Sequence, residues 1–181
     1  MRKSGVKMHK VLLIIIMLCV STMFAITYDG LTEYLEENTD MTTRRIKEVL
    51  DGIYEQLKVI ETKYSVTIAP EIMVSIMMIE TNGRNVLGDN GHSIGYFQLQ
   101  FQAIWYTWEF FPELKKDLDA NKLLSNPKYQ AQLATSYLFL MYRNTDYDLH
   151  KAIERYNGGG DPNYLSKYIT YYKQILIWNK I

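Results

Sequence analysis

The stretch Pro70-Glu71-Ile72-Met73-Val74-Ser75-Ile76-Met77-Met78-Ile79-Glu80-Thr81-Asn82-Gly83 decides how the chain is read. Pro70 lacks an N–H that a first helical turn would leave unused, so it can open a helix. Ile76 to Ile79 then runs without a charge, and Asn82-Gly83 supplies a stop. The spacing predicts a buried helix from Pro70 to about Glu80. A carboxyl at the end of a buried helix has its charged form disfavoured by desolvation, which raises its pKa. Such a group can hold a proton near neutral pH and deliver it to a leaving oxygen. Buried helix-end carboxyls also serve as caps, so the segments around Glu80 have to decide between the two.

Upstream, Ile46, Val49, Leu50, Ile53, Leu57 and Ile60 recur at spacings of three and four, the apolar face of a helix from Thr42 onward. Such a stripe reads as core rather than as a partner surface. Tyr28 to Asp40 is polar and acidic and reads as a linker or a loosely docked first helix. Downstream, a turn-rich loop from Arg84 to Ser93 precedes a helical pattern over Gly95 to Phe110. Asn126-Pro127 opens a longer helix reaching Arg143, Asp148 to Tyr156 a shorter one stopped by Gly158-Gly159-Gly160, and Asn163 to about Trp178 the last. No strand pair, repeat or low-complexity segment stands out. The expectation is a single all-α domain.

Length and charge narrow the class. The 181 residues can bury a core of their own. Arg2, Lys3, Lys7 and Lys10 precede an uncharged apolar stretch from Val11 to Ile26, the pattern of a secretory signal peptide cut after Ala25. Met23 is a poor fit to the small-residue cleavage pattern, so an uncleaved N-terminal membrane anchor is the other reading of residues 1–25. Either way the remainder is expected to be exported, with the membrane reached only through this segment. Cys19, the one cysteine, lies inside the stretch, and Leu18 before it argues against lipid attachment there. Without the four basic residues the chain keeps 16 positive against 20 negative side chains, a net −4. That sign is wrong for a nucleic-acid binder.

Three further segments give Glu80 its context. Gly88-Asp89-Asn90-Gly91-His92-Ser93-Ile94 leads into Gly95-Tyr96-Phe97-Gln98, and Ala152 through Tyr156-Asn157 ends a later helix. Together with Ile79-Glu80-Thr81 they resemble, in order, the lytic transglycosylase family, whose pattern is a Glu followed by Ser or Thr, a Gly-x-x-Gln segment, and a Tyr-Asn pair at a helix end. The resemblance spans roughly residues 69–175. It implies a goose-type-lysozyme-like helical fold over residues 69–181, with 26–68 as an N-terminal helical extension. It also implies an enzyme that cuts peptidoglycan glycan strands, which lie outside the cytoplasmic membrane.

By the resemblance, Glu80 matches the single catalytic acid/base. It would protonate the oxygen between N-acetylmuramic acid and N-acetylglucosamine, then take the proton of the muramyl C6 hydroxyl as a 1,6-anhydro ring closes. The substrate's 2-acetamido group would replace the second carboxylate of ordinary glycosidases. Thr81 stands where Ser is commoner and keeps the hydroxyl. Gly95, Tyr96, Phe97 and Gln98 match the second motif, with Gln98 able to donate to and accept from a sugar and Gly95 allowing close backbone approach. Tyr156 and Asn157 match the third, the Tyr156 hydroxyl being placed to bond Glu80 or the acetamido group. Tyr164 matches a later aromatic, less specifically among 15 tyrosines.

Asp89 leaves the reaction outcome open. A second carboxylate there could position a water and give an inverting hydrolase, and goose-type lysozymes carry acidic residues in the corresponding region; in Gly-Asp-Asn-Gly it reads first as a turn former. His92 and His150 lie far apart in a chain without a ligand cluster, and neither a metal nor a cofactor is expected. Trp105, Tyr106, Trp108, Phe110 and Phe111 are either core or sugar-stacking material. Family analogy suggests a partner among envelope machines, such as a secretion, pilus, flagellar or conjugation system. A silent peptidoglycan-binding assembly protein, docking through the 42–60 helix, is the reading of a different class.

Overall fold

The computed structural model describes residues 26–178. These form eight α-helices and one small antiparallel sheet, so the chain is all-α. The leader, residues 1–25, lies outside the described residues. Among those described, no helix is long and apolar enough to cross a membrane.

Helix α1 (Tyr28–Asn38) starts at Thr27, whose hydroxyl accepts from the Gly30 N–H. It is firmly docked: Leu31 and Leu35, one turn apart, are fully buried, with Tyr34 between them. The acidic composition of the segment reflects its outer face only. Helix α2 (Thr43–Tyr64), capped by Thr42, buries the whole stripe from Ile46 to Ile60. That stripe is core, packed mainly on helix α6 (Pro127–Arg143). Gly52 sits at the crossing, where a Cβ would collide with the Lys128 carbonyl oxygen.

Helix α3 (Pro70–Thr81) carries apolar side chains on every side between Ile72 and Ile79, and a helix of that kind must be buried. Residues Ile72 to Met78 are indeed inside, between α2 and helix α8 (Tyr164–Trp178). Asn82 adopts the left-handed conformation and Gly83 follows at φ +74°, which ends the helix where the sequence predicts. Helix α7 (Leu149–Tyr156) is capped by Asp148 and packs between α6 and α8. One core cluster runs from Ile26 to Ile175.

The structure departs from the sequence reading between the helices. Strands β1 (Leu87–Gly88), β2 (Ser93–Ile94) and β3 (Leu99–Gln100) form a three-stranded sheet in that order, where no strand pair is expected. The helix expected from Gly95 begins only at Phe101, as α4 (Phe101–Phe110). Gly95 at φ +78° and Gln98 at φ +46° are left-handed, which no helix tolerates, and they fold 95–98 into a tight turn between β2 and β3. Two-residue strands leave no alternating pattern to detect. A five-residue helix, α5 (Ala120–Leu124), capped by Asp119, also escapes the sequence reading.

Candidate active site

Glu80 sits in the last turn of α3, half-buried in the wall of a cleft of about 370 Å³. Around it the cleft brings in Asp89 and Ser93 from the loop, Gln98 from the turn, Tyr137 from α6, and Tyr156 with Asn157 from the end of α7. Residues far apart in sequence thus share one cavity because α3, α6 and α7 end or pass beside the sheet. Tyr164, at the start of α8, donates its hydroxyl to Glu80 Oε1 at 2.6 Å. The tyrosine with the least specific motif match is therefore the one bonded to the acid. Tyr156, by contrast, donates to the Phe97 carbonyl oxygen at 3.2 Å.

Burial pushes the Glu80 carboxyl up to about 7. The Tyr164 hydrogen bond opposes that rise, the Asp89 charge adds to it, and the Lys167 charge opposes it. Lys167 is itself tied to Asp161, with Nζ 2.7 Å from Oδ2. Burial, then the Glu80 charge, also pushes up the Tyr164 and Tyr156 phenols. Both remain protonated donors at neutral pH. A carboxyl near 7 is shared about equally between acid and base forms there, which suits one residue to both roles in turn.

The remaining motif residues build the wall from behind. Thr81 donates its hydroxyl to the Tyr96 carbonyl at 2.9 Å, stitching the Glu80 helix to the 95–98 turn. The Tyr96 and Phe97 side chains are buried in the core and do not line the cavity. Gly95 permits a close approach, but to Gln130 of α6 rather than to a sugar or the Glu80 helix: a Cβ on Gly95 would collide with Gln130 Oε1. Gln98 Nε2 donates to the Gly95 and Val86 carbonyls at 2.9 and 3.2 Å, so its amide braces the turn while one side faces the cleft. Asn157 lines the cavity, and its buried Nδ2 has no partner among the described residues.

Asp89 is exposed, at φ +48°, and its Oδ2 accepts from the Ser93 hydroxyl at 2.5 Å. It lies in a turn, as expected, but its side chain bonds Ser93 rather than the backbone, and it is a carboxylate on the same cleft. The aromatic patch divides: Phe111 is core, Trp108 Nε1 donates to the Tyr129 hydroxyl at 3.0 Å, and Trp105 is 57 % exposed.

Two residues the motifs do not mark complete the site. Fully buried Gln130 accepts from the Tyr96 N–H at 2.8 Å and donates to Asn85 Oδ1 at 3.0 Å and the Leu123 carbonyl at 2.9 Å. An amide on an otherwise apolar helix face was its one signal. Tyr137 packs its ring on Tyr156 at 5.4 Å and reads in sequence as an ordinary core aromatic. Among the described residues no His, Cys, Asp and Glu side chains cluster as metal ligands do. Comparison with family models, curated proteins and solved structures gives no match to this chain.

Proposed function

We propose that the chain is a peptidoglycan lytic transglycosylase with a goose-type-lysozyme-like domain, exported and acting on glycan strands with Glu80 as acid and base. The observation that carries this reading is a half-buried carboxyl near 7, held by Tyr164 in a polar cleft. The cleft also contains the Gln98 and Asn157 amides. Protonated Glu80 delivers its proton to the glycosidic oxygen. The carboxylate so formed then accepts the C6 hydroxyl proton of the muramyl residue as that oxygen closes on C1. Tyr164 stabilises the carboxylate between the two steps, because its hydroxyl donates to the charged form. Asn157 lines the cleft beside Gln98, so its side-chain amide is a contact for a sugar acetamido or hydroxyl group. The route needs no cofactor.

Hydrolysis is the second reading, favoured by one observation: Asp89 lies on the same cleft and its charge raises the Glu80 pKa. Mass spectrometry of peptidoglycan digested by the purified protein, with Glu80→Gln in parallel, separates the two. Anhydromuramyl ends that vanish in the variant support transglycosylation. Reducing ends, one water heavier, support a muramidase. Equal sacculus binding by both proteins with no product from either would leave a glycan-binding assembly protein.

A further inference from the structure

The other end of helix α3 holds a second carboxyl that the chemistry above does not use. Glu71 is 1 % exposed. Its Oε1 accepts from the backbone N–H of Ile26 at 2.8 Å, and Ile26 is itself buried. Its Oε2 has no partner among the described residues. No lysine or arginine pairs with it there either. Its charge reaches three phenols, Tyr54 of α2 and Tyr168 and Tyr172 of α8: burial raises their pKa values and the Glu71 charge raises them further.

This arrangement is unfinished for a peptide amide. A carboxylate offers about four acceptor sites, and an amide N–H fills one of them without bringing a charge. A buried carboxylate with no cation is costly, and removing that cost takes both charge and donors. An α-ammonium at the same nitrogen brings a positive charge and three donors, enough to serve Oε2 as well as Oε1. Ile26 is the residue that becomes the N-terminus if the leader is cut after Ala25.

We propose that Glu71 is an internal receptor for the α-ammonium group of Ile26, which a leader peptidase releases. The inference rests on the leader reading and is independent of the glycan chemistry. In the cleavage, water adds its hydroxyl to the Ala25 carbonyl carbon as the C–N bond breaks. The Ile26 nitrogen takes the remaining hydrogen and one more proton from solvent. The peptidase meets the bond in the extended, translocating chain, so the burial of Ile26 is no obstacle; the new terminus is seated when the chain folds. Leader removal then completes an ion pair at the start of the helix that carries Glu80 about 14 Å further along, at 1.5 Å per residue.

The test expresses the full chain with its own leader in an exporting bacterium, beside Glu71→Gln, Ala25→Leu and the double variant. Leucine before the cut is too bulky for the peptidase and keeps the leader on. Intact mass is expected to place the wild-type N-terminus at Ile26. With all proteins in one mild detergent, Glu71→Gln strands a buried ammonium in the processed chain and lowers Tm by on the order of 10 °C. In the unprocessed chain the new side-chain amide accepts the same backbone N–H without burying a charge, so the substitution leaves Tm unchanged or raises it. A purely structural cap gives no such reversal. A second readout needs no variant to fold: an amine-reactive label at pH 7, read on the N-terminal peptide. It should modify Ile26 at least about tenfold more slowly in folded wild type than after denaturation, because free α-amines near pKa 7.7–8.0 react readily. A terminus other than Ile26, an equal Glu71→Gln effect in both forms, or an α-amine that labels as fast folded as unfolded would each overturn the proposal.

Discussion

Replacing Glu80 by glutamine should make the protein more stable, but only above a definite pH. The carboxyl moves from the ordinary value of 4.5 to about 7 on folding, with burial the largest cause. Below about pH 4 it is protonated in folded and unfolded chains alike, and glutamine is a near match in shape and hydrogen bonding. Between about 4.5 and 7 the unfolded chain has released its proton while the folded chain still holds it, so wild-type stability falls as pH rises. Above 7 the gap is constant. At 1.36 kcal/mol per pH unit the separation corresponds to about 3 kcal/mol. Because the cleft admits water, about 2 kcal/mol is the expected difference, some 4–8 °C in Tm for a chain of this size. Thermal melts of wild type and Glu80→Gln at half-unit steps from pH 4 to 8.5 read it directly. Curves that stay parallel across that range, or a variant less stable at pH 8, would refute the desolvated-carboxyl account.

Tyr164→Phe removes a donor that favours the carboxylate. The alkaline limb of the pH–activity profile should move up by about one unit, with activity at pH 7 down about tenfold, in a muropeptide-release assay. A profile that moves down or stays put would show that the 2.6 Å bond does not set the acid. Asp89→Asn deletes a charge that raises the Glu80 pKa, so the same limb should move down while anhydro product persists. Loss of all product with folding intact would place Asp89 in the chemistry. Gly95→Ala forces a Cβ onto Gln130 at φ +78° and should cost about 3 kcal/mol in urea denaturation; a cost below about 1 kcal/mol would mean the turn yields easily.

The helices were legible because their signals are local. Pro70 with Asn82-Gly83, Asn126-Pro127 and the Ile46-to-Ile60 stripe each announce a boundary or a face within a few residues. Helix α1 was half legible: its acidic outer face hid the Leu31/Leu35 pair that docks it. The 95–98 turn was misread as helix because its identity depends on long-range partners. These are the Thr81 hydroxyl and the Gln130 amide, neither of which a window around Gly95 contains. Glu80 could be picked from sequence because desolvation follows from its apolar neighbours. Which tyrosine bonds it could not, since the geometry is set by how α8 packs on α3, and both Tyr156 and Tyr164 suit the role chemically.

The three hydrogen bonds of Gln130 have a consequence for how this protein can change over generations. One side chain answers to a backbone N–H at position 96, an amide at 85 and a carbonyl at 123, and it fills the space that a side chain at 95 would need. Drift at any of these positions is therefore conditional on the others. A larger residue at 95 is admissible only after 130 has shrunk, and a shrunken 130 strands three polar groups that must find new partners together. Relatives of this chain should keep the Gly95–Gln130 pair or lose both members at once. Intermediates holding only one should be rare.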